Sequence, residues 1–302
     1  MKQKLVSIIM NCHNGEKYLK DAINSIIIQS YKNWELIFFD NASTDNSSNI
    51  VKNFKDKRIK YHYSEFVNLG VARKKAFSLC KGEYVAFLDS DDYWVKNKLS
   101  LQVNQLNKFI NCGVSFSNSF FFKNKKKTLL YNTLPQDGYI FEELLKKYFI
   151  SFDTVIIKKF YLRKMSHDFD ERFTIAHDLD LLIRLSMICD FKYIDKPLSF
   201  WRIHDQSFSK NRISIINKEK YYFLKKLKKI VKNKPNKKNL LILFEKNIIK
   251  SKLEEYLINQ DLKKFFSLIL KNKIFNFRIL ILIILITIPG GKYIYTKIKK
   301  SW

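Results

Sequence analysis

Apolar runs with the character of β-strands alternate with segments of helical periodicity through the first hundred residues. The strand-like runs are Leu5–Met10, Trp34–Phe39, Ile59–Tyr63 and Tyr84–Leu88. From Glu16 to Gln29, apolar residues recur at steps of three and four, which predicts a helix with one buried stripe. Further helices are predicted to begin near Asp45 and to span Val71–Cys80 and Lys96–Phe109. This alternation of strand and helix favours a parallel α/β sheet with right-handed crossovers.

Polar residues follow three of these strands at the point where each strand ends. Asn11–Gly15 follow the first strand, Asp40 and the run Asn41–Asp45 follow the second, and Asp89–Asp92 follow the fourth. Open parallel sheets bind ligands at this edge, and two carboxylates spaced Asp-x-Asp can hold a divalent cation that grips a diphosphate. An acidic run of this kind is also typical of a solvated turn.

Several of these polar residues are candidates for helix capping as well. Asn14 is the N-cap candidate of the first helix, and Ser43 and Asp45 are those of the second. Asp92 either supports a metal ligand or caps the helix Lys96–Phe109.

Four stretches of the chain resemble glycosyltransferase family 2 and occur in the order typical of that family. They are Val6–Leu19, Gln29–Ile37, Asp40–Ser47 and Lys81–Trp94. Members of this family have the GT-A fold and transfer a sugar from a nucleotide diphosphate donor to an acceptor, usually with inversion. The resemblance covers roughly residues 5–208 and implies an α/β fold with a Rossmann-like, mostly parallel sheet flanked by helices.

The resemblance implies a nucleotide-binding role for residues at the ends of the first two strands and in the third helix. Asn11, His13 and Asp40 are placed to contact the base, with Asp40 accepting from its imide. His13 stands where the family usually has tyrosine, so a stacking contact would become sensitive to pH, and a simple turn histidine is the alternative. Arg73 matches a family arginine near the nucleotide, and its fixed fork of donors suits a phosphate or a uracil carbonyl.

The acidic run after the fourth strand resembles the metal-binding signature of the family. The resemblance implies that Asp89 reaches the ribose or the water shell of the ion, and that Asp91 binds Mn²⁺ or Mg²⁺ bridging the two phosphates. Such an ion neutralises the charge that builds on the departing nucleotide diphosphate. Further on, Phe200–Ser209 resembles a family segment in which His204 completes the metal shell or touches the donor phosphate, while Arg202 pairs with phosphate or braces the loop.

A general base is required because the acceptor hydroxyl must lose a proton as it attacks the anomeric carbon. The segment Ala176–Leu185 resembles a family segment of the form Glu-Asp-x-Asp-Leu, with His177 in place of the glutamate. Asp178 then matches the position of the catalytic base. The apolar spacing that follows predicts a helix with its body in the core and Asp178 at its N-terminus, where a carboxylate is also favoured as a plain helix cap.

Charge is distributed unevenly along the 302 residues and marks a second region. Residues 211–302 contain 23 Lys or Arg and 5 Asp or Glu, against 33 and 23 in residues 1–210. We therefore predict a catalytic domain over 1–210 and a basic helical extension over 211–302. Within the extension, Ile279–Ile288 carries no charge and has lysines on both sides, but it is too short to span a bilayer as a helix, which needs roughly 20 residues. These features favour an interfacial helix that meets anionic headgroups, with a buried core helix as the alternative.

The N-terminus and the cysteines indicate a cytoplasmic protein. Met1–Lys4 leads directly into the first strand without the apolar run of a signal peptide. Cys12, Cys80, Cys112 and Cys189 lie far apart, without the spacing of a metal or redox motif. The predicted location is therefore the cytoplasm, peripheral to the inner face of the cell membrane.

The sequence thus predicts a metal-dependent inverting glycosyltransferase with a nucleotide-sugar donor, UDP being favoured by the resemblance, and a glycan or lipid-linked saccharide acceptor in surface polysaccharide biosynthesis. Three other interpretations stay open. The net charge of +28 and the abundance of Phe and Tyr are typical of a nucleic-acid- or polyanion-binding protein, but no RNA or DNA motif accompanies them, so no nucleic acid is expected as a partner. A nucleotidyltransferase would be expected to carry a Gly-rich phosphate loop, which the sequence lacks. A degenerate transferase is disfavoured by the joint presence of Asp89, Asp91 and Asp178.

Overall fold

The structure is a computed structural model that describes residues 3–123, 126–165, 168–205, 212–232 and 238–272. The chain divides into two compact units, residues 1–210 and residues 211–302. The assignment of a catalytic role to the first unit and of membrane contact to the second stays a prediction. The apolar run Ile279–Ile288, predicted to be interfacial, lies outside the described residues.

The first unit contains one mixed sheet with helices packed against it. Its strands are β1 Val6–Cys12, β2 Trp34–Asn41, β3 Ile59–Ser64, β4 Tyr84–Phe87, β5 Tyr93–Trp94, β6 Cys112–Lys123, β7 Lys126–Leu129, β8 Ile156–Lys158 and β9 Asp190–Arg202. Its helices are α1 Glu16–Ile27, α2 Ser47–Asn53, α3 Leu69–Ser78, α4 Lys98–Lys108, α5 Phe141–Lys146, α6 Lys159–Lys164 and α7 His177–Leu185, with a single 3₁₀ turn at Phe152–Thr154 in the described part.

Four parallel strands form one half of the sheet, in the order β3-β2-β1-β4. β1 and β2 are buried along their whole length, as their apolar runs predict. The strand order reverses between β1 and β4, because the chain builds outward from β1 first on one side and then on the other. In open α/β sheets the ligand crevice lies beyond the carboxyl ends of the strands at such a reversal. The predicted α/β fold with a mostly parallel sheet is confirmed.

The other half of the sheet mixes strand directions. β8 pairs antiparallel with both β4 and β6, whereas β6 and β9 pair in parallel along most of their length. β5 continues the sheet beside β9, and β7 forms an edge hairpin with β6. This half therefore combines parallel and antiparallel strand pairs with the short helices α5 and α6.

The helices of the parallel half lie close to their predicted bounds. α1 buries Leu19, Ala22, Ile23 and Ile26 of the predicted apolar stripe, whereas its last member, Ile27, is half-buried. α3 begins at Leu69, two residues before its predicted start. Asn68 explains this earlier start, because its side-chain oxygen accepts a hydrogen bond from the N–H of Val71 at 2.9 Å and caps the helix.

The prediction that Asn14 caps α1 is wrong. The N-cap residue is Gly15, and Asn14 has a left-handed φ of 56°. Its side-chain oxygen accepts instead from the backbone N–H groups of Thr44 at 2.8 Å and Asp45 at 3.3 Å. Asp45 in return accepts from the backbone N–H of Glu16 at 2.9 Å. The two βα loops lie side by side at the sheet edge, so each side chain finds its donors in the neighbouring loop.

The predicted caps of α2 also differ from the structure. The helix begins at Ser47 with Asn46 as its N-cap residue, rather than Ser43 or Asp45. Asp45 still accepts from the N–H of Ser47 at 2.9 Å, so it serves the starts of both helices. Ser43 accepts from the N–H of Asn14 at 3.0 Å and so joins the two loops as well.

The second unit is helical in its described part, as predicted. Its helices are α8 Ile213–Ile230, α9 Lys238–Ile258 and α10 Leu262–Asn272. The rings of Phe223 and Phe244 meet between α8 and α9 with 5.7 Å between their centroids. α10 packs against the end of α9 through a cluster of Leu253, Leu257, Phe265 and Ile269. Among the helices of the described residues, we find none with the length and apolar character needed to cross a membrane.

Candidate active site

The carboxyl ends of β1, β2 and β4 bring the predicted polar residues to one edge of the sheet. Asn11 and Cys12 end β1, and Cys12 lies beside Asp40 in the β1–β2 register. The acidic run Asp89–Asp92 follows β4, which pairs with β1. Just after β4, the N–H of Leu88 donates to the carbonyl of Ile9 on β1 at 3.1 Å. The reversal of strand order therefore places the base-side and phosphate-side candidates at a common crevice.

Asn11 has a buried side chain that lacks protein partners. It is only 9% exposed, and neither its amide nitrogen nor its amide oxygen has a hydrogen-bond partner among the described residues. A buried polar group left without a partner costs about 1–3 kcal/mol, so a ligand that supplies the missing hydrogen bonds gains that much. Asn11 is thus suited to bind a polar ligand at the end of β1.

Asp40 is more enclosed than its predicted role requires. It is 1% exposed, and its two oxygens accept from the hydroxyl of Tyr61 at 2.6 Å and from the N–H of Ser43 at 2.9 Å. Burial and the Asp40 carboxylate raise the pKa of Tyr61, so this hydroxyl remains a donor. Tyr61 was not anticipated from the sequence. A contact between Asp40 and a base stays a prediction.

Arg73 contacts both the acidic run after β4 and the ring of Phe152. The guanidinium is buried and donates to Asp89 at 2.8 Å, whereas Asp89 itself is 49% exposed. The central carbon of the Arg73 guanidinium lies 4.9 Å from the ring centroid of Phe152. Burial raises the pKa of Asp178 and the charge of Arg73 opposes this rise, so the predicted nucleotide-side arginine and the predicted base share one electrostatic environment.

Asp91 and His204 lie in contact, as expected for two groups of one metal site. The Nε2 atom of His204 is 2.8 Å from Oδ2 of Asp91, and both side chains are partly exposed. The ring of Tyr18 lies 5.0 Å from that of His204 and 4.2 Å from the guanidinium of Arg202. Tyr18 is a further residue of this corner whose position the sequence did not reveal.

Arg202 braces the loop that carries the acidic run, which was one of its two predicted roles. Its Nε atom donates to the carbonyl of Asp91 at 2.9 Å, and its backbone N–H donates to Asp92 at 2.8 Å. A second nitrogen of the guanidinium reaches Asp21 at 3.2 Å. Asp92 is therefore a buried acceptor that holds β9, and its predicted role as a helix cap is wrong, since the N-cap of α4 is Asn97.

The donor set fits a hard divalent cation that is shared with a diphosphate. In the described part of the chain there is no cluster of three or more His, Cys, Asp or Glu side chains with metal-binding geometry. Mg²⁺ commonly binds proteins through one or two carboxylates together with substrate phosphates, and Mn²⁺ accepts the same oxygen ligands. Asp91 offers an accessible carboxylate and His204 an adjacent ring nitrogen, which meets that requirement.

Asp178 lies in the first turn of α7, where the sequence places it. The hydroxyl of Tyr148 donates to its Oδ2 atom at 2.9 Å. Burial raises the pKa of Asp178, while the hydrogen bond from Tyr148 and the charge of Arg73 act in the opposite direction. A carboxylate whose pKa is moved toward neutrality is better matched to accept a proton than an ordinary surface carboxylate.

The neighbours of Asp178 on α7 have structural roles. Asp180 is buried and pairs with Arg184 through two contacts of 2.5 and 3.0 Å. His177 is buried with its ring 5.6 Å from that of Phe152, and burial lowers its pKa well below the usual value. It is therefore neutral and does not replace the charge of the family glutamate.

The loop that leads to Asp178 is attached to α3. The N–H of Gly70 donates to the carbonyl of Phe173 at 3.0 Å, and the side chain of Asn68 donates to the carbonyl of Glu171 at 2.9 Å. A Cβ atom at Gly70 would lie 2.3 Å from the oxygen of Phe173, so only glycine permits this approach. α3 thereby positions Arg73 and the segment that precedes the candidate base.

Comparisons with known proteins identify the family of the chain. A family model described as Glycosyl transferase family 2 matches residues 7–166. The chain is 30% identical over 224 residues to the UDP-Glc:alpha-D-GlcNAc-diphosphoundecaprenol beta-1,3-glucosyltransferase WfgD of Escherichia coli, which covers 72% of this chain and 85% of that protein.

Two solved structures share the GT-A fold of the chain. One is S. aureus TarS in complex with UDP-GlcNAc, with a TM-score of 0.61, 17% identity and coverage of 87% of this chain and 90% of that one. The other is the mannosyltransferase PcManGT from Pyrobaculum calidifontis in complex with GDP-Man and Mn²⁺, with a TM-score of 0.62, 16% identity and coverage of 88% and 80%. The predicted fold is confirmed, and the chain belongs to glycosyl transferase family 2 and is a glycosyltransferase.

Proposed function

We propose that the protein is a metal-dependent inverting glycosyltransferase that moves a sugar from UDP to a lipid-linked saccharide in surface polysaccharide biosynthesis. The observation that carries the proposal is the arrangement around Arg73. This buried cation bonds Asp89 beside the candidate metal ligands and acts electrostatically on Asp178, the candidate base. Donor-binding groups and a proton acceptor thus lie in one site, as a sugar transfer requires.

The donor is held by residues at the strand ends. Asn11 supplies the unpartnered amide for the base, and His13 lies next to it on the loop after β1. Asp91 and His204 would hold Mn²⁺ or Mg²⁺, with Asp89 at the ribose or at the water shell of the ion. When bound, the ion neutralises charge on the nucleotide diphosphate as it departs. The presence of Mn²⁺ in the PcManGT complex supports this cofactor.

Asp178 accepts the proton of the attacking hydroxyl. The hydroxyl of Tyr148 donates to Oδ2 and holds the carboxylate in place while it accepts that proton. The acceptor attacks the anomeric carbon on the face opposite the departing diphosphate, so the configuration inverts. A correctly placed general base contributes typically 10²- to 10⁴-fold to such a step.

The donor nucleotide and the acceptor class are proposed from the relatives. The names of WfgD and of the TarS complex contain UDP-sugars, and the name of WfgD contains a sugar linked to diphosphoundecaprenol. The exposure of Asp89 and the partial exposure of Asp91 leave room for a diphosphate at the phosphate side of the site.

We further propose that the second unit contacts the anionic inner face of the cell membrane, where a lipid-linked acceptor would lie. On α10, the side chains of Leu262, Phe266 and Leu270 are exposed one turn apart, and Lys263 and Lys271 flank them. Apolar stripes with adjacent lysines bind anionic interfaces. Sedimentation with phosphatidylglycerol vesicles should retain the protein and phosphatidylcholine vesicles should not; Phe266→Glu should weaken the retention, and equal binding to both lipids would contradict the proposal.

The central experiment is thermal unfolding of the protein with UDP, dTDP, GDP or CMP, each with Mn²⁺ and with a chelator. A ligand at a hundred times its dissociation constant stabilises the folded state by about 2.7 kcal/mol, which raises the unfolding temperature by several degrees. We expect a Mn²⁺-dependent shift with UDP. If no nucleotide shifts the transition and a polynucleotide does, the chain is a nucleic-acid-binding protein and the proposal is wrong.

A further inference from the structure

Phe66 is an exposed aromatic residue beside the candidate donor site. It lies in the loop between β3 and α3 and is 64% exposed. Its ring centroid is 5.1 Å from that of His13, and the two planes meet at 66°. Single exposed apolar residues are common on protein surfaces, so the exposure alone indicates no function. The informative property is its position, since His13 follows β1 at the ligand-binding edge of the sheet.

Asn41, at the end of β2, holds both rings in place. Its backbone carbonyl is 2.8 Å from Nδ1 of His13, which therefore carries the proton and donates. Its side chain donates to the carbonyl of Val67 at 2.8 Å and accepts from the N–H of Val67 at 3.0 Å. One buried strand end thus fixes His13 and the residue next to Phe66, so the two rings form an aromatic corner before a ligand binds.

The aromatic corner lies on the same edge as a buried polar group that needs a ligand. Asn11 is one residue before the end of β1, and its amide, which can both donate and accept, has no hydrogen-bond partner in the described residues. A nucleobase combines a planar face with an edge of donors and acceptors. Rings and amide together match those two properties, whereas a phosphate presents no planar face and no apolar surface.

We propose that Phe66 is a base-binding residue and that the aromatic corner of Phe66 and His13 receives the base of a pyrimidine nucleoside diphosphate. The inference rests on the proposed function, because it requires a nucleotide donor. It adds a residue outside the motifs that reveal the family, on the loop between β3 and α3. Base–aromatic contacts change affinity by roughly 5- to 150-fold on alanine substitution.

The test compares ligands with and without a base. We would measure the dissociation constants of UDP and of inorganic pyrophosphate, both with MgCl₂, by calorimetry on the full chain. Phe66→Ala should weaken UDP about tenfold and leave pyrophosphate unchanged, while Phe66→Trp should retain UDP. Phe160, on α6, is 59% exposed and gives a matched control, since Phe160→Ala should bind both ligands as the wild type does.

The possible results separate the inference from the proposed function. Equal UDP affinity in wild type and Phe66→Ala would overturn the inference alone, and so would an equal loss of UDP and pyrophosphate binding, which would indicate a general distortion of the site. Absence of UDP binding by the wild type would overturn the proposed donor, and the inference with it. Unfolding curves of all variants should coincide, because Phe66 and Phe160 are both largely exposed.

Discussion

Two acidic segments of the first unit show how alike functional and structural carboxylates look in a sequence. In the run Asp89–Asp92, Asp91 stays partly exposed beside His204, whereas Asp92 is buried and holds the backbone of β9. In the first turns of α7, Asp178 accepts from the hydroxyl of Tyr148, whereas Asp180 is buried and pairs with the guanidinium of Arg184.

The difference lies in what satisfies each carboxylate. The charge of Asp180 is compensated by a full opposite charge, because its Oδ2 atom accepts two N–H groups from the buried guanidinium of Arg184. Burial raises the pKa of Asp178 more than its neutral donors, which are Tyr148 and nearby backbone N–H groups, and the charge of Arg73 lower it, so its charge is only partly compensated. Incomplete compensation by the protein therefore distinguishes the candidate catalytic carboxylate from its structural neighbour.

The substitution Asp178→Asn should have the largest effect on activity. Removal of the general base should lower kcat by about 10²- to 10⁴-fold, with donor affinity unchanged.

The raised pKa of Asp178 means that the folded protein binds this proton more tightly than the unfolded chain. The free energy of unfolding therefore falls as the pH rises from about 3.9 through the folded pKa. At neutral pH the variant should therefore unfold at the same temperature as the wild type or above it. Full turnover would contradict the assignment.

Asp180→Asn should give the opposite result. The substitution leaves Arg184 as a buried charge without its carboxylate, which typically costs about 3–5 kcal/mol and should lower the unfolding temperature by roughly 10 °C. Asp178→Asn is the matched control, since the chemical change is identical two residues away. A variant at Asp180 that melts like the wild type would remove the distinction between the two carboxylates.

Asp91→Asn should weaken donor binding. Partners that merely orient a metal ligand are worth about 10- to 100-fold in affinity, so loss of a ligand itself should weaken Mn²⁺-dependent UDP binding by about a hundredfold. Calorimetric titration with UDP, in the presence of Mn²⁺ and then of a chelator, measures the effect. The control is Asp21→Asn, because Asp21 is an exposed carboxylate that pairs with Arg202. Equal UDP affinity in the wild type and in Asp91→Asn with Mn²⁺ present would disprove the role of Asp91.

Tyr148→Phe should give the smallest effect and the most specific one. Without the hydroxyl that stabilises the ionised carboxylate, the pKa of Asp178 should rise, and the acid limb of the pH profile of kcat/KM should move to higher pH. Tyr131→Phe is the control, because the hydroxyl of Tyr131 bonds to the carbonyl of Phe149. An unchanged acid limb would show that Tyr148 does not act on the base.

The parallel half of the sheet could be predicted because its signals are local. β1, β2 and β4 are built on apolar runs that are buried, and α1 shows its buried stripe within a few turns. The antiparallel insertion of β8 could not be predicted, since its three residues pair with β4 and β6 far away in the chain. The caps of α1 and α2 were missed for the same reason: their partners lie in the adjacent loop rather than in the same helix.

Motifs predicted which residues gather at the site, but not what holds them. Asp91 and His204, which the resemblance implied to be metal-site residues, lie in contact although they are 113 residues apart. Tyr148 precedes Asp178 by 30 residues in an ordinary segment, and no local pattern distinguishes it from the other tyrosines. Tyr61 is hidden in β3 in the same way. Such supporting contacts depend on tertiary packing, which one sequence does not display.

The contact between Gly70 and Phe173 joins the donor side of the site to its acceptor side with no space for a side chain. Arg73, on α3, and Asp178, after the loop that contains Phe173, therefore belong to two closely packed segments. A chimera that takes residues 168–178 from one relative and α3 from another would combine surfaces that do not match. We expect acceptor specificity to be transplantable between these enzymes only when both segments are exchanged as one cassette.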